Sequence, residues 1–170
     1  LPDFNDTSVI AGYLSLVEDN QVDIVNSSFG GAEGLYTADY NGGSDFTYLL
    51  QLQDEIFKQG NAQGITFVAS SGDNGALGLP PLSYVTTPPR NPPVVVGSYL
   101  PGVEFPASSP NVTAVGGTNL VTTSNPPSLR LKYVSENAFG DPVEPDDPYG
   151  AGNLISGGYW GSGGGESVLF

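Results

Sequence analysis

Nine residues, GITFVASSG at positions 64 to 72, constrain this chain more than any others. The run from Ile65 to Ala69 is almost continuously apolar, is of strand length and is bounded by glycine. A strand apolar on both faces belongs inside a parallel sheet, which is covered on both sides. Parallel neighbours need a crossover connection, most often a helix. The preceding stretch supplies one: SDFTYLLQLQDEIFKQG, from Ser44, repeats the helical period through Phe46, Leu49, Leu50, Ile56 and Phe57, with Gly60 as its stop. Ahead of it, VDIVNSSFGG reads as a short strand entering a glycine turn. TSVIAGYLSLVEDN puts Val9, Ile10, Tyr13, Leu14 and Val17 on one helical face, after a cap at Thr7 or Ser8.

A Pro-rich loop from Leu79 to Pro93 follows, and FPASSPNVTAVGGTNLV then holds a third strand over Val112–Val115. Helix, strand, helix, strand, loop, strand is the pattern of an α/β fold: an open, mainly parallel sheet with helices on both faces. From about Thr122 the periodicity fades into a stretch rich in Gly, Pro and Ser. The expected organisation is an α/β core over residues 1–121 and a loop-rich segment over 122–170. The glycines at 163 to 165 fit either a close backbone approach or simple flexibility, and Trp160 reads as packing.

Open α/β sheets bind ligands outside the carboxyl ends of their strands. NSSFGG and SSGDNGA both occupy such ends, so two loops are aimed at one crevice. The second carries a single carboxylate, Asp73. Asp beside Asn and Gly is ordinary turn chemistry, so the acid is either a turn residue or a catalytic one.

The charge balance narrows the partners. There are 18 acids against 4 bases and no His, which leaves nothing to neutralise a run of phosphates and excludes nucleic acid as a partner. No apolar run reaches the roughly 18 residues of a membrane span, so no membrane is expected either. Without Cys there is no disulfide framework, and without Cys or His the chain offers no structural zinc site and no imidazole base. The low isoelectric point suits work in acid, where self-repulsion fades. A chain that begins at Leu1 and has no Met reads as processed or as a piece of something longer.

Three segments in order, NSSFGGAEG, VASSGDNGA and FPASSPNVTAVGGTN, resemble the subtilisin-like peptidase fold. Subtilisins carry Asn in the turn after the second of these strands. Asp73, in Ser-Gly-Asp-x-Gly, instead resembles the sedolisins, the serine-carboxyl peptidases, as do PASSPNVTAVGGT and the late WGSGGGES. One departure is Glu166, where that family usually has an aromatic residue.

The resemblance implies that Asp73 is the oxyanion-hole residue. A carboxylate cannot donate a hydrogen bond but a carboxylic acid can, so Asp73 must stay protonated, by an acidic medium or by burial and nearby acids. It further implies that Ser28, Phe29, Gly30 and Gly31, with Ser71 and Gly72, bind the substrate main chain in the manner of an added strand, Phe29 walling a side-chain pocket. Ser108 and Ser109 resemble turn residues of the family rather than nucleophiles. The catalytic Glu and Asp would lie just upstream of Leu1 and the nucleophilic Ser after Phe170, so the chain is expected to be the centre of a partial catalytic domain, inactive alone. Its partners would be a peptide or protein substrate and the remaining segments of its own domain, in an extracellular or acidic compartment. Calcium is expected from the resemblance with its ligands beyond Phe170, DPVEPDD lacking the spacing of a calcium loop. The alternatives are a non-catalytic peptide-binding homologue of the same fold and a His-based subtilisin with an unusual Asp. Three glycosylation sequons occur, at Asn5, Asn26 and Asn111, the second expected to be buried in a strand.

Overall fold

The computed structural model describes residues 5–78, 101–124, 130–141 and 160–170, together with the residue pairs 85–86 and 95–96. In chain order it contains helix α1 (Asp6–Asp19), strands β1 (Ile24–Ser27) and β2 (Gly31–Ala32), a 3-10 turn (Glu33–Tyr36), helix α2 (Tyr48–Ala62) and β3 (Thr66–Ser70). There follow β4 (Val85–Thr86), β5 (Val95–Val96), β6 (Glu104–Phe105), β7 (Thr113–Val115), β8 (Thr118–Ser124), β9 (Leu131–Ala138), β10 (Gly140–Asp141) and β11 (Trp160–Gly161). The Pro-rich loop from 79 to 93 and DPVEPDD fall largely outside the described residues.

Helix α1 begins earlier than the sequence suggests. Asn5, not Thr7 or Ser8, is the cap: its Oδ1 accepts the Ser8 N–H at 2.9 Å, and Asn serves this role as well as Ser does. The helix ends at Asn20, which adopts a left-handed φ of 46° and returns its N–H to Leu16 O. Helix α2 is also displaced from expectation. Phe46 lies before it and is exposed, while Gly60 does not stop it but lies buried inside its last turn.

The reason for Gly60 is packing. A Cβ there would stand 2.6 Å from the Phe67 ring and 3.0 Å from Val17, so α2, α1 and β3 meet at that point with no room for a methyl group. Around it Tyr13, Val17, Leu50, Ile56, Phe57, Ile65, Phe67 and Phe105 form the core. Phe57 is its hub, edge-on to Tyr13 at 4.8 Å, tilted against Phe67 at 4.9 Å and stacked on Phe105 at 6.0 Å. Such pairs add about 0.5–1.5 kcal/mol each beyond simple burial. Burial pushes the Tyr13 hydroxyl above its ordinary pKa, and the same hydroxyl shares a 2.6 Å hydrogen bond with Ser27 Oγ at the end of β1.

The sheet runs β1-β3-β7 and both pairings are parallel. Ser27 lies opposite Ala69, and Ser70 opposite Val115, so all three strands deliver their carboxyl ends to one edge. Phe67 and Ala69 are buried against the helices while Thr66 faces out, so β3 alternates rather than being covered on both sides. Both described helices lie on this one face. The opposite face presents Ile24, Asn26 and Thr66; Asn26, expected to be buried, is exposed. The third strand is confirmed, over Thr113–Val115.

The turn after β6 is tied to α2. Buried Asp54 accepts hydrogen bonds from Ser109 Oγ and from Asn111 Nδ2 at 3.0 Å, while Asn61 Nδ2 donates to Asn111 O at 2.8 Å. Ser109 is therefore structural, as expected. The loop reading of the chain from Thr122 onward is corrected: β8 and β9 form a long antiparallel hairpin with a register shift between Val121 and Thr122. Almost every residue of it is exposed among the described residues, so it carries no inside-outside alternation for a sequence reading to detect.

Replacing Gly60 by Val forces the Phe67 ring out of the core. The substitution is expected to lower unfolding free energy by about 1–3 kcal/mol, measured as a reduced urea midpoint at unchanged slope.

Candidate active site

The carboxyl edge of the sheet brings the two expected loops together. Ser28, Phe29 and Gly30 leave β1, while Ser71, Gly72 and Asp73 leave β3, its parallel neighbour. Gly31 already belongs to β2 and pairs antiparallel with Phe105. Ser28 and Gly30 are exposed. Phe29 is half-buried, stacks on Tyr13 at 6.4 Å, and walls a cleft of about 390 Å³ with Leu35, Tyr36, Phe105 and Pro106. At its rim the Tyr36 hydroxyl donates to Asp6 at 2.7 Å; burial and that carboxylate push the tyrosine pKa up.

The Asp73 turn is held almost entirely by main chain. Ser71 N–H donates to Val115 O at 3.0 Å, prolonging the β3–β7 pairing by one residue. Gly72 then takes a φ of 95°, a conformation that side-chain-bearing residues rarely adopt. From far along the chain, Gly161 N–H donates to Asp73 O at 2.7 Å, Gly75 N–H to Gly161 O at 2.9 Å and Gly163 N–H to Gly72 O at 3.0 Å. A Cβ on Gly163 would stand 1.7 Å from Ser71 O, so of the two explanations for the glycine run, close approach holds at this position. Ser162 Oγ accepts the Gly117 N–H at 2.7 Å, fastening the same strap to the end of β7. Asp73 itself is exposed, and the Ser71 hydroxyl is buried with no hydrogen-bond partner among the described residues.

Two acids at this edge escaped the sequence reading. Glu33 is buried and accepts the one Ser167 O–H, whose oxygen stands 2.8 and 2.9 Å from its two carboxylate oxygens, and the Val168 N–H at 3.0 Å. It clamps the last described segment beside β2. Glu104, in β6, is half-buried, with its carboxyl packed against Gly72: a Cβ on that glycine would meet the carboxyl carbon at 2.5 Å. Burial, and secondly the charge of Asp73, push the Glu104 carboxyl above its ordinary pKa. The available signal was a lone acid inside a short apolar run, GGAEGL and GVEFP, where a carboxylate is costly unless it is partnered or protonated. Among the described residues no group of three or more His, Cys, Asp or Glu side chains is placed to hold a metal ion, and no helix is long and apolar enough to cross a membrane.

The chain matches the subtilase family over residues 2–153. It is 35% identical to sedolisin of Pseudomonas sp. (strain 101) over 162 residues, covering 95% of this chain and 22% of that protein. It is 34% identical to xanthomonalisin of Xanthomonas sp. (strain T-22) over 127 residues, covering 69% of this chain and 14% of that protein. The solved structure of Pseudomonas sedolisin, a serine-carboxyl proteinase complexed with two molecules of pseudo-iodotyrostatin, aligns with a TM-score of 0.63 at 32% identity, over 98% of this chain and 36% of that one. The chain belongs to the subtilase family, on its sedolisin branch, and spans about a fifth of the length of the sedolisin it matches.

Gly163→Ala drives a methyl group into the Ser71 carbonyl and releases the strap. The expected result is a loss of at least tenfold in any activity that depends on the Asp73 turn, with a lowered melting temperature. Gly164→Ala, where nothing lies within 4 Å of the added Cβ, changes both far less.

Proposed function

We propose that this chain supplies the oxyanion acid and one wall of the substrate cleft in an acid-acting serine-carboxyl peptidase. The observation that carries this reading is the position of Asp73: the only acid in the turn after β3, at the carboxyl edge of the sheet, beside the Ser28–Gly30 segment, in a chain with sedolisins as relatives. In this reading a serine oxygen attacks the scissile carbonyl and passes its proton to a glutamate, itself oriented by an aspartate. The carbonyl oxygen becomes an anion and accepts a hydrogen bond from the Asp73 carboxyl O–H. Collapse expels the amine, which takes up the proton, and leaves an acyl-enzyme that water hydrolyses. The substrate lies along Ser28–Gly30, with a side chain in the cleft beside Phe29. Ser71 and Gly72 shape the approach to the acid.

The serine, glutamate and aspartate belong, in this reading, to segments outside residues 1–170, and so do the ligands of a calcium ion. The peptide or protein substrate and those segments are the chain's partners, and the working compartment is extracellular and acidic.

The test compares Asp73→Asn with Asp73→Ala in the full-length peptidase. An amide donates without needing a proton, so Asn is expected to retain more activity and carry the pH profile upward. Ala is expected to lose about 10²–10³ in kcat, the usual cost of removing an oxyanion donor. Equal and slight effects from both would sink the assignment. Residues 1–170 alone are expected to show no peptide hydrolysis; turnover by the pure chain, blocked by a peptide aldehyde, would contradict the division of the catalytic groups.

A further inference from the structure

Two glycines report what lies beneath the gap between the Ser28 and Asp73 loops. A Cβ on Gly30, in the first loop, would stand 2.4 Å from Phe105 O. A Cβ on Gly72, in the second, would meet the Glu104 carboxyl, its carbon at 2.5 Å and its oxygens at 2.6 and 2.9 Å. Glu104 and Phe105 are consecutive and make up β6, so one short strand touches both loops and floors the space between them. Pairing with β2 fixes its place, Ala32 opposite Glu104 and Gly31 opposite Phe105, as does the Glu33 N–H, which donates to Val103 O at 3.0 Å. Phe105 belongs to the core. Glu104 is half-buried and sends its carboxyl to the Asp73 turn. No hydrogen bond or ion pair reaches that carboxyl among the described residues. Partial burial without a partner is costly for a carboxylate, and a cation brought in from outside would supply the partner.

We propose that Glu104 determines specificity: it selects a lysine or arginine side chain on the substrate residue whose carbonyl is attacked. This rests on the reading of Asp73 given above. In that reading the scissile carbonyl faces Asp73, and the main chain leading to it runs along Ser28–Gly30. The side chain of that residue then enters between the loops and descends on β6, on a different course from the one beside Phe29. Gly30 and Gly72 offer only main chain to either side of it. A long hydrocarbon stem can pack there while its charged end meets the Glu104 carboxyl. A neutral side chain of equal length leaves the carboxyl unpaired. Burial, and secondly Asp73, push the Glu104 carboxyl above its ordinary pKa, and a bound cation acts in the opposite direction. Asp73 is the charged group that faces it from the turn; Ala32 on β2 and Gly72 and Gly78 in the turn do not titrate. The preference for a cation therefore grows as pH rises and Glu104 ionises.

The experiment measures kcat/KM in the full-length peptidase on peptides that differ only in the residue before the scissile bond: lysine, arginine, or norleucine as an uncharged chain of similar length. The wild type is expected to prefer lysine or arginine over norleucine by about tenfold or more, the ratio rising with pH across the active range. Glu104→Gln is expected to cut that ratio by about 10- to 100-fold, as loss of a charged hydrogen-bond partner does, and to leave it flat with pH. Glu104→Lys is expected to invert it, favouring glutamate over norleucine. Glu104→Ser gives the same reading as Glu104→Gln if the latter does not fold. A wild type that cleaves norleucine as well as lysine overturns the proposal. So does a Glu104→Gln or Glu104→Ser enzyme that loses all three substrates equally, which marks the residue as merely structural. Both outcomes spare Asp73, whose substitution lowers turnover of every substrate alike; slight effects of Asp73→Asn and Asp73→Ala on all three overturn the role of Asp73 instead.

Discussion

Parallel pairing of β1, β3 and β7 is the constraint from which the rest of the structure follows. Antiparallel strands would send alternate ends to opposite edges; three parallel ones deliver Ser27, Ser70 and Val115 to the same edge. That arrangement requires long connections, and α2, which lies in the one between β1 and β3, must be held on the sheet together with α1. The Tyr13, Phe57, Phe67 and Phe105 rings do so, with Gly60 removing the one Cβ that would hold α2 away from β3. The core is thus more than ballast: it fixes the register at which the Ser28 and Asp73 loops emerge side by side.

Much of this architecture could be read from residue order. The helical period through Leu50, Ile56 and Phe57 and the apolar run at Ile65 to Ala69 are strong local signals, because each segment must bury one face and the pattern records which. The Asp73 turn was legible for a different reason, since Gly, Asp and Asn together after an apolar strand are ordinary turn chemistry. What escaped is equally physical. The β8–β9 hairpin is exposed on both faces in the described residues and so leaves no alternation. Gly60 was read as a terminator because glycine weakens helices, a penalty of about 1 kcal/mol that contact with Phe67 outweighs. Glu33 and Glu104 depend on partners 134 residues away, in Ser167, and in the Gly72 turn, which no short window contains.

The edge also shows how a chain can place an acid with hardly any side-chain scaffolding. Ser71, Gly72 and Asp73 are secured by main-chain bonds to Val115, Gly161 and Gly163, leaving the Asp73 side chain without a hydrogen bond among the described residues. A side chain already engaged in holding its own loop would have to break a bond before it could meet a developing charge. In the role proposed for Asp73 that reorganisation is avoided, which is the condition under which a single donor counts for most.

The Glu33 clamp has a consequence in time rather than space. Its partners lie 134 residues further along the chain, and closing so wide a span costs entropy before the contact returns anything. During synthesis the sheet edge can therefore assemble from its early strands while the glycine strap and the clamp wait for residues 160 to 168 to emerge. A chain cut before residue 160 carries the acid without the frame that steadies it, since the main-chain bonds to the Asp73 turn from Gly161 and Gly163 are then missing.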